Sequence, residues 1–396
     1  MKKFLYSVLV CVGLATSVSA QISTFLSDSA RISLLTCSPG GSVEELFGHT
    51  AIRIEDPATN LDLIVNYGLF SFDQPNFVGR FVAGETDYMV GANYPSRFIR
   101  QYAYRGSSVT QQTLALTATQ RNQLYNALLI NMMPENATYR YNFIFNNCAT
   151  KPRDLIAQSL GNSLQYPFGD LYAESDLTFR EAIKRYTRTA AWSQFGFDLC
   201  LGVGTDRLAT NNELMFLPEL LQEAYSDAKI TTDEGNLPLV SSTTVLTPKT
   251  RTDSNYLITP NRLFWILFVI ILSISMLGYR KLRPLKGLDA FLFTVGGLVG
   301  CLITYLMFFS EHPFTDSNFN LWVLNPLMFW PLISLCIKPL RRFDGYFYSF
   351  WAISSIAFII AIPIMSQAIN LAMIPLVGCF CIRSACRAAI WLKTKA

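Results

Sequence analysis

Beyond residue 260 the chain carries five apolar stretches in succession, 263–279, 288–309, 321–337, 346–365 and 369–392. Each approaches the length that a hydrocarbon core of ~30 Å requires of a spanning helix. Pro326 and Pro331 interrupt the third stretch, and the fifth ends among basic residues. The connections alternate in charge. Arg280, Lys281, Arg283 and Lys286 form one basic loop, Lys338, Arg341 and Arg342 a second, and Arg383, Arg387, Lys393 and Lys395 close the chain. The intervening loops, 310–320 and 366–369, contain no Lys or Arg. Positive loops remain in the cytoplasm, so this alternation puts residues 21–260 outside and the C-terminus inside.

The start of the chain points the same way. Lys2 and Lys3 precede an apolar stretch at 4–14, and Val18-Ser19-Ala20 has the small residues of a cleavage site. Residues 1–20 read as a secretory signal. Only 15% of the chain is charged, against about 25% in ordinary soluble domains. The net charge of +4 sits largely in short loops, without the broad basic face that nucleic acid demands.

Between signal and bundle, residues 21–236 are long enough for one domain. Residues 51–54 and 61–67 are β-branched and flank Asp56-Pro57-Ala58-Thr59-Asn60, which predicts a hairpin. Strands are further predicted at 87–94, 108–116 and 139–145. Thr117 to Gln120 forms a capping box, with Leu124, Leu128 and Leu129 following at helical spacing. Helices are predicted from 147 towards 160, over 179–186 and over 214–228. Residues 237–260, polar and without a hydrophobic period, read as a linker. The expectation is an α+β domain, helices on one side of an antiparallel sheet, ahead of an all-α bundle at 261–396.

Two histidines occur, His49 and His312, and three cysteines fall in the exported part, Cys37, Cys148 and Cys200. An odd count in an oxidising compartment leaves a thiol unpaired or paired elsewhere; a Cys37–Cys200 bridge with Cys148 free is one arrangement. Cys148 stands where a predicted strand ends and a helix begins. Unpaired N–H groups and the helix dipole there favour thiolate over thiol. An imidazole can take the proton, and the same N–H groups can hold an oxyanion. Cys148 as nucleophile, His49 as base and the Cys148 N–H as oxyanion donor are the candidates; a buried free thiol and a core histidine are the ordinary alternative. Pro152 requires either a distorted first turn or a helix starting nearer Thr150.

Phe47-Gly48-His49-Thr50-Ala51, Asn66-Tyr67-Gly68 and Asn147-Cys148-Ala149-Thr150 with Arg153-Asp154 resemble the exported domain of the Lnb-type lipoprotein N-acyltransferases, which also end in a membrane bundle. The order His then Cys is similar to permuted papain-like enzymes, lecithin–retinol acyltransferase among them. The resemblance implies a permuted papain-like fold, Cys148 as nucleophile and His49 as base. It also implies a polar residue on the strand after the histidine strand; Asn66 is the first choice and Asp62 the second. The implied setting is the cell inner membrane, with the domain in the periplasm. The implied partners are a membrane phospholipid as acyl donor and a diacylated lipoprotein as acceptor.

The remaining candidates have plainer readings. Arg153 and Asp154 lie off the helical face of Cys148 and suit a structural ion pair. Lys151 and Arg105 could attract a headgroup but read first as solvated cations. His312 reads as part of a solvated loop, with contact to the active site as the alternative. Gly202-Val203-Gly204-Thr205 is a weak phosphate-loop candidate. No ligand spacing suggests zinc, and neither metal nor cofactor is expected. Besides acyl transfer, a cysteine peptidase or amidase acting on cell-wall peptides and a non-enzymatic membrane sensor or scaffold stay open.

Overall fold

The computed structural model describes residues 25–70, 75–232, 235–252 and 257–395, so the expected signal at 1–20 lies outside the described residues. β1 (Arg31–Cys37), β2 (His49–Asp56), β3 (Leu61–Leu69), β4 (Asp87–Asn93), β5 (Val109–Leu114) and β6 (Thr138–Arg140) build an antiparallel sheet. Two small sheets follow, one of β7 (Leu164–Gln165), β10 (Lys229–Thr232) and β11 (Gly235–Pro238), the other of β8 (Glu174–Thr178) and β9 (Leu208–Thr210). β12 (Val240–Thr247) then returns to the main sheet, whose order is β12-β5-β1-β2-β3-β4-β6.

That last strand corrects the linker expected at 237–260. Its Val, Ser and Thr residues favour extended backbone, but as an edge strand it leaves most side chains exposed, so no apolar alternation marks it. The helices of this half are α1 (Phe77–Ala83), α2 (Pro95–Arg105), α3 (Ala118–Asn131), α4 (Thr150–Leu160), α5 (Phe179–Thr187), α6 (Ala191–Cys200), α7 (Asn211–Leu214) and α8 (Pro218–Asp227). The helix expected at 214–228 is broken, because Pro218 forces Leu217 into extended backbone. The strand expected at 139–145 stops after Arg140, where the Asn142 side chain accepts the N–H groups of Ile144 and Phe145 and turns the chain.

Helices cover both faces of the sheet, not one. Ile32 and Leu34 of β1 face a core that includes Leu124, Ile156 and Leu221 from α3, α4 and α8. Leu35 and Cys37 face the other way, onto Phe98 of α2. Six consecutive buried residues in β1 are the signature of a strand packed on both sides. The thiols of Cys37 and Cys200 are free, so the suggested bridge is absent.

The second half holds α9 (Pro260–Arg280), α10 (Lys286–Phe309), α11 (Trp330–Cys336), α12 (Asp344–Ala361) and α13 (Met373–Lys395). Five segments are long and apolar enough to cross a membrane. The third, Phe319–Cys336, runs through short 3₁₀ turns before α11, as its prolines predict. Arg383 and Arg387 are not loop charges. Both are buried in the bundle, Arg383 bonding Asp289 at 2.7 Å and Arg387 lying 2.9 Å from the same carboxylate. Pairing inside the bundle is what makes two guanidiniums tolerable there.

The two halves meet through polar groups. Asn370 and Asn320 bind Asp198 of α6, Asn318 binds the Leu199 carbonyl, and Gln367 binds the Leu201 carbonyl. Gly202 N–H donates to Phe314 O at 2.7 Å, and a Cβ on Gly202 would run into the Asp316 carbonyl. Gly202 and Gly204 therefore serve a close approach between domain and membrane loop, not a phosphate.

Candidate functional site

The local sequence explains how each candidate is held. Gly48 precedes β2 with φ +73°, where a Cβ would strike the Cys37 carbonyl. Only glycine accepts that turn without strain, and it sets His49 opposite Cys37 at the first rung of β2. Gly48→Ala is expected to cost roughly 1–2 kcal/mol from the left-handed backbone alone. Thermal unfolding in detergent should show the loss as a lowered midpoint.

Asn66 lies opposite Ala51, so it shares a sheet face with His49 two residues away. His49 Nε2 and Asn66 Oδ1 are 3.1 Å apart. An amide oxygen accepts, so Nε2 carries a proton, and the other ring nitrogen is left to exchange a proton with Cys148. Asp62, the second choice, is at the other end of β3 and bonds Arg53 at 2.9 and 2.8 Å.

Cys148 stands just ahead of α4. Helical structure begins at Thr150, which puts Pro152 in the first turn, where a missing N–H costs nothing. The buried Asn147 organises the turn. Its Oδ1 accepts from the N–H groups of Ala149 and Thr150 at 2.7 and 2.9 Å, while its own N–H donates to Thr150 Oγ1 at 2.8 Å. Two helix-end N–H groups are thus occupied by Asn147, which leaves the Cys148 N–H, one of the two backbone groups that lower the thiol, as the donor beside the sulfur. Gly68, with φ +87° at a bulge in β3, leaves room for the thiol: a Cβ there would lie 3.7 Å from Cys148 Cβ.

The electrostatics couple the pair. Burial pushes the Cys148 thiol up, but the charge and hydrogen bond of His49 and the N–H groups of Thr50 and Cys148 outweigh it, and the thiol ends below its ordinary value. Burial pulls His49 down, yet the Cys148 charge and the hydrogen bonds of Cys148 and Asn66 leave it raised. The arrangement favours thiolate beside imidazolium. Asn66→Ala removes one of the bonds that raise and aim the imidazole. Cys148 alkylation at neutral pH should slow up to about 10²-fold, the scale of a misplaced catalytic group. Asn66→Asp, which keeps the acceptor oxygen, should restore it.

Four tyrosines around the pair escaped the sequence reading. Tyr102 of α2 stacks on the His49 ring with centroids 6.2 Å apart. Tyr88 and Tyr141 stack at 4.1 Å, and Tyr139 lies edge-on to Tyr67. Burial, with help from Glu44, pushes Tyr88 to about 12; burial and the neighbouring Cys148 charge push Tyr139 and Tyr141 up as well. All three therefore remain neutral phenols near pH 7. The alternation Tyr139-Arg140-Tyr141 was the one signal available, since it puts both rings on one face of an extended strand.

The other candidates are engaged elsewhere. Arg153 bonds Asp154 at 2.7 Å and the Asn212 carbonyl at 2.7 Å. Arg105 pairs with Glu45 at 2.9 Å, and the Lys151 ammonium sits 4.9 Å over the Tyr139 ring. His312 corrects the expectation of a solvated loop: its Nε2 is 2.6 Å from the Phe81 carbonyl of α1. Among the described residues no group of three or more His, Cys, Asp or Glu could hold a metal ion.

Comparison with known families agrees with this division of the chain. A model of the Lnb N-terminal periplasmic domain matches residues 19–174, and a model of the Lnb transmembrane domain matches residues 251–395. No curated protein and no solved structure matches. With both halves of that architecture matched in order, the chain is a membrane protein of the Lnb-type family, a periplasmic domain joined to a C-terminal transmembrane bundle.

Proposed function

We propose that this protein is a lipoprotein N-acyltransferase with a permuted papain-like periplasmic domain, working through an acyl-enzyme on Cys148. The observation that carries the reading is the Cys148 thiol beside the His49 imidazole, whose charge lowers it and whose Nε2 lies 3.1 Å from Asn66 Oδ1, in a domain bonded to a membrane bundle.

The Cys148 thiolate attacks the ester carbonyl of a membrane phospholipid, and the Cys148 N–H supports the oxyanion. Collapse expels the glycerol oxygen, which takes a proton from the His49 imidazolium and leaves as lysophospholipid. The α-amine of a diacylglyceryl-modified N-terminal cysteine then attacks the thioester. His49 accepts a proton from the amine, and the thiolate departs, leaving an amide. Thioester to amide runs downhill, so no nucleotide is required. Both substrates live in the bilayer, which suits a catalytic domain fastened to five spans. The basic loops at 280–286 and 338–342 support an inner-membrane orientation with the C-terminus in the cytoplasm.

The test is chemical. Purified enzyme mixed with phospholipid should gain one acyl mass on Cys148, released by neutral hydroxylamine. Lipoprotein N-termini from cells lacking the gene should carry two acyl chains where the parent carries three. Unchanged triacylated termini and an unmodified Cys148 would favour a hydrolase or a scaffold.

A further inference from the structure

A row of aromatic rings leads from Cys148 to the membrane loop. Tyr141 stacks on Tyr88 at 4.1 Å, Tyr88 on Phe70 at 4.8 Å, Phe70 on Phe77 at 5.8 Å, and Phe77 on Phe81 at 6.2 Å. Phe81 meets the His312 ring at 5.7 Å. Tyr88 borders Gly68, and Gly68 borders Cys148, so the row begins at the thiol.

Its other end lies against the end of a membrane-spanning helix. α10 has 24 residues, which at about 1.5 Å per residue crosses a hydrocarbon core. It ends at Phe309, and the next residues bind α1 directly. Ser310 Oγ donates to Val82 O at 2.9 Å, Glu311 N–H to Ala83 O at 2.8 Å, and His312 Nε2 holds Phe81 O. A helix tied by three bonds to the end of a transmembrane span sits at headgroup depth. α1 nevertheless exposes Val78 by 74% and Phe81 by 46%, and the paired Leu69 and Met89 beside it are exposed too. Phe308 and Phe309, at the end of α10, are exposed as well. Salt bridges Arg80–Asp87, Arg140–Asp87 and Arg140–Glu311 pin the β4–β6 edge to the loop and balance charge along it.

We infer that α1 lies in the outer surface of the bilayer and that the aromatic row behind it guides a phospholipid acyl chain from the membrane to Cys148. The occupant is a lipid, because α1 is bonded to the end of a membrane span and its exposed side chains are apolar. β6 and the residue after it serve both ends of the route: Tyr139 and Tyr141 are close enough to feel the Cys148 charge, while Arg140 between them bonds Glu311 of the membrane loop at 2.7 Å. This inference rests on the acyl-transfer reading for its purpose, but not for its geometry.

The test uses the full chain in vesicles of phosphatidylethanolamine and phosphatidylglycerol. A benzophenone amino acid is placed at Val78, at Phe81, or at Leu237, which is exposed by 48% on the small sheet beyond the far end of α4. Phospholipid adducts after irradiation at 78 and 81 and few at 237 are expected; equal yields at all three positions overturn the inference. Separately, Val78→Asp with Phe81→Asp should slow transfer from vesicle phospholipid at least tenfold, with alkylation of Cys148 by iodoacetamide unchanged. Unchanged transfer by that variant, with transfer abolished in Cys148→Ala, would reject the lipid route and keep the acyl-enzyme. Adducts at 78 and 81 without any acyl transfer would keep the membrane contact of α1 and reject the reaction.

Discussion

Cys148→Ala is expected to leave no detectable N-acylation, a loss on the order of 10⁶ if the residue is the nucleophile, as for the nucleophile of other acyl-enzyme hydrolases. The variant should still fold. The side chain is partly exposed, and the turn that carries it is held by Asn147 and Thr150, not by the sulfur. Removing one sulfur atom beside Gly68 leaves a gap of that one atom and no broken backbone bond in the turn. Two readings separate chemistry from folding: lipoprotein N-termini from complemented cells, weighed by mass spectrometry, and thermal unfolding of the purified variant. Two acyl chains instead of three, with an unchanged unfolding midpoint, is the expected pair. A third chain still added at the parental rate would remove Cys148 from the reaction.

His49→Ala should lower transfer by about 10²–10⁴, the usual contribution of a general acid–base group. It should also move the titration of Cys148. With His49 present, its charge and hydrogen bond overcome the burial that pushes the thiol up. Without it, burial is opposed only by two backbone N–H groups, so the thiol rises. Every one-unit rise in pKa removes tenfold of the thiolate at neutral pH. In the parent, iodoacetamide should react below the ordinary cysteine range, and the rate should fall as the pH drops through the lowered thiol value. In His49→Ala the same limb should be displaced to higher pH. Superimposable profiles for parent and variant would mean that the two residues are not coupled. Transfer by the parent should show a second limb at high pH, where the raised imidazolium loses the proton that the leaving glycerol oxygen needs.

These expectations depend on contacts of unequal legibility. The capping box at Thr117 forms as its spacing predicts, with Gln120 N–H donating to Thr117 Oγ1 at 3.2 Å, because such a motif is closed within four residues. The hairpin of β2 and β3 was readable for the same reason. β1 carries no such signal, although it lies at the centre of the sheet, since a strand buried on both faces shows no alternation. α1 and α2 were missed as well: seven and eleven residues give little helical period, and their partners come from distant segments.

The five spans, the two motifs bearing His49 and Cys148, and the glycines that shape their turns were determined by local sequence, through length, hydropathy and backbone constraint. Tertiary structure alone decided that four tyrosines gather around the thiol and that Arg383 and Arg387 are buried partners of Asp289. It alone brought His312 onto α1 across 231 residues of chain. Local patterns record what neighbouring residues need from water and backbone. Which distant side chains converge is set by how sheet, helices and bundle pack, and no short window of sequence carries that information.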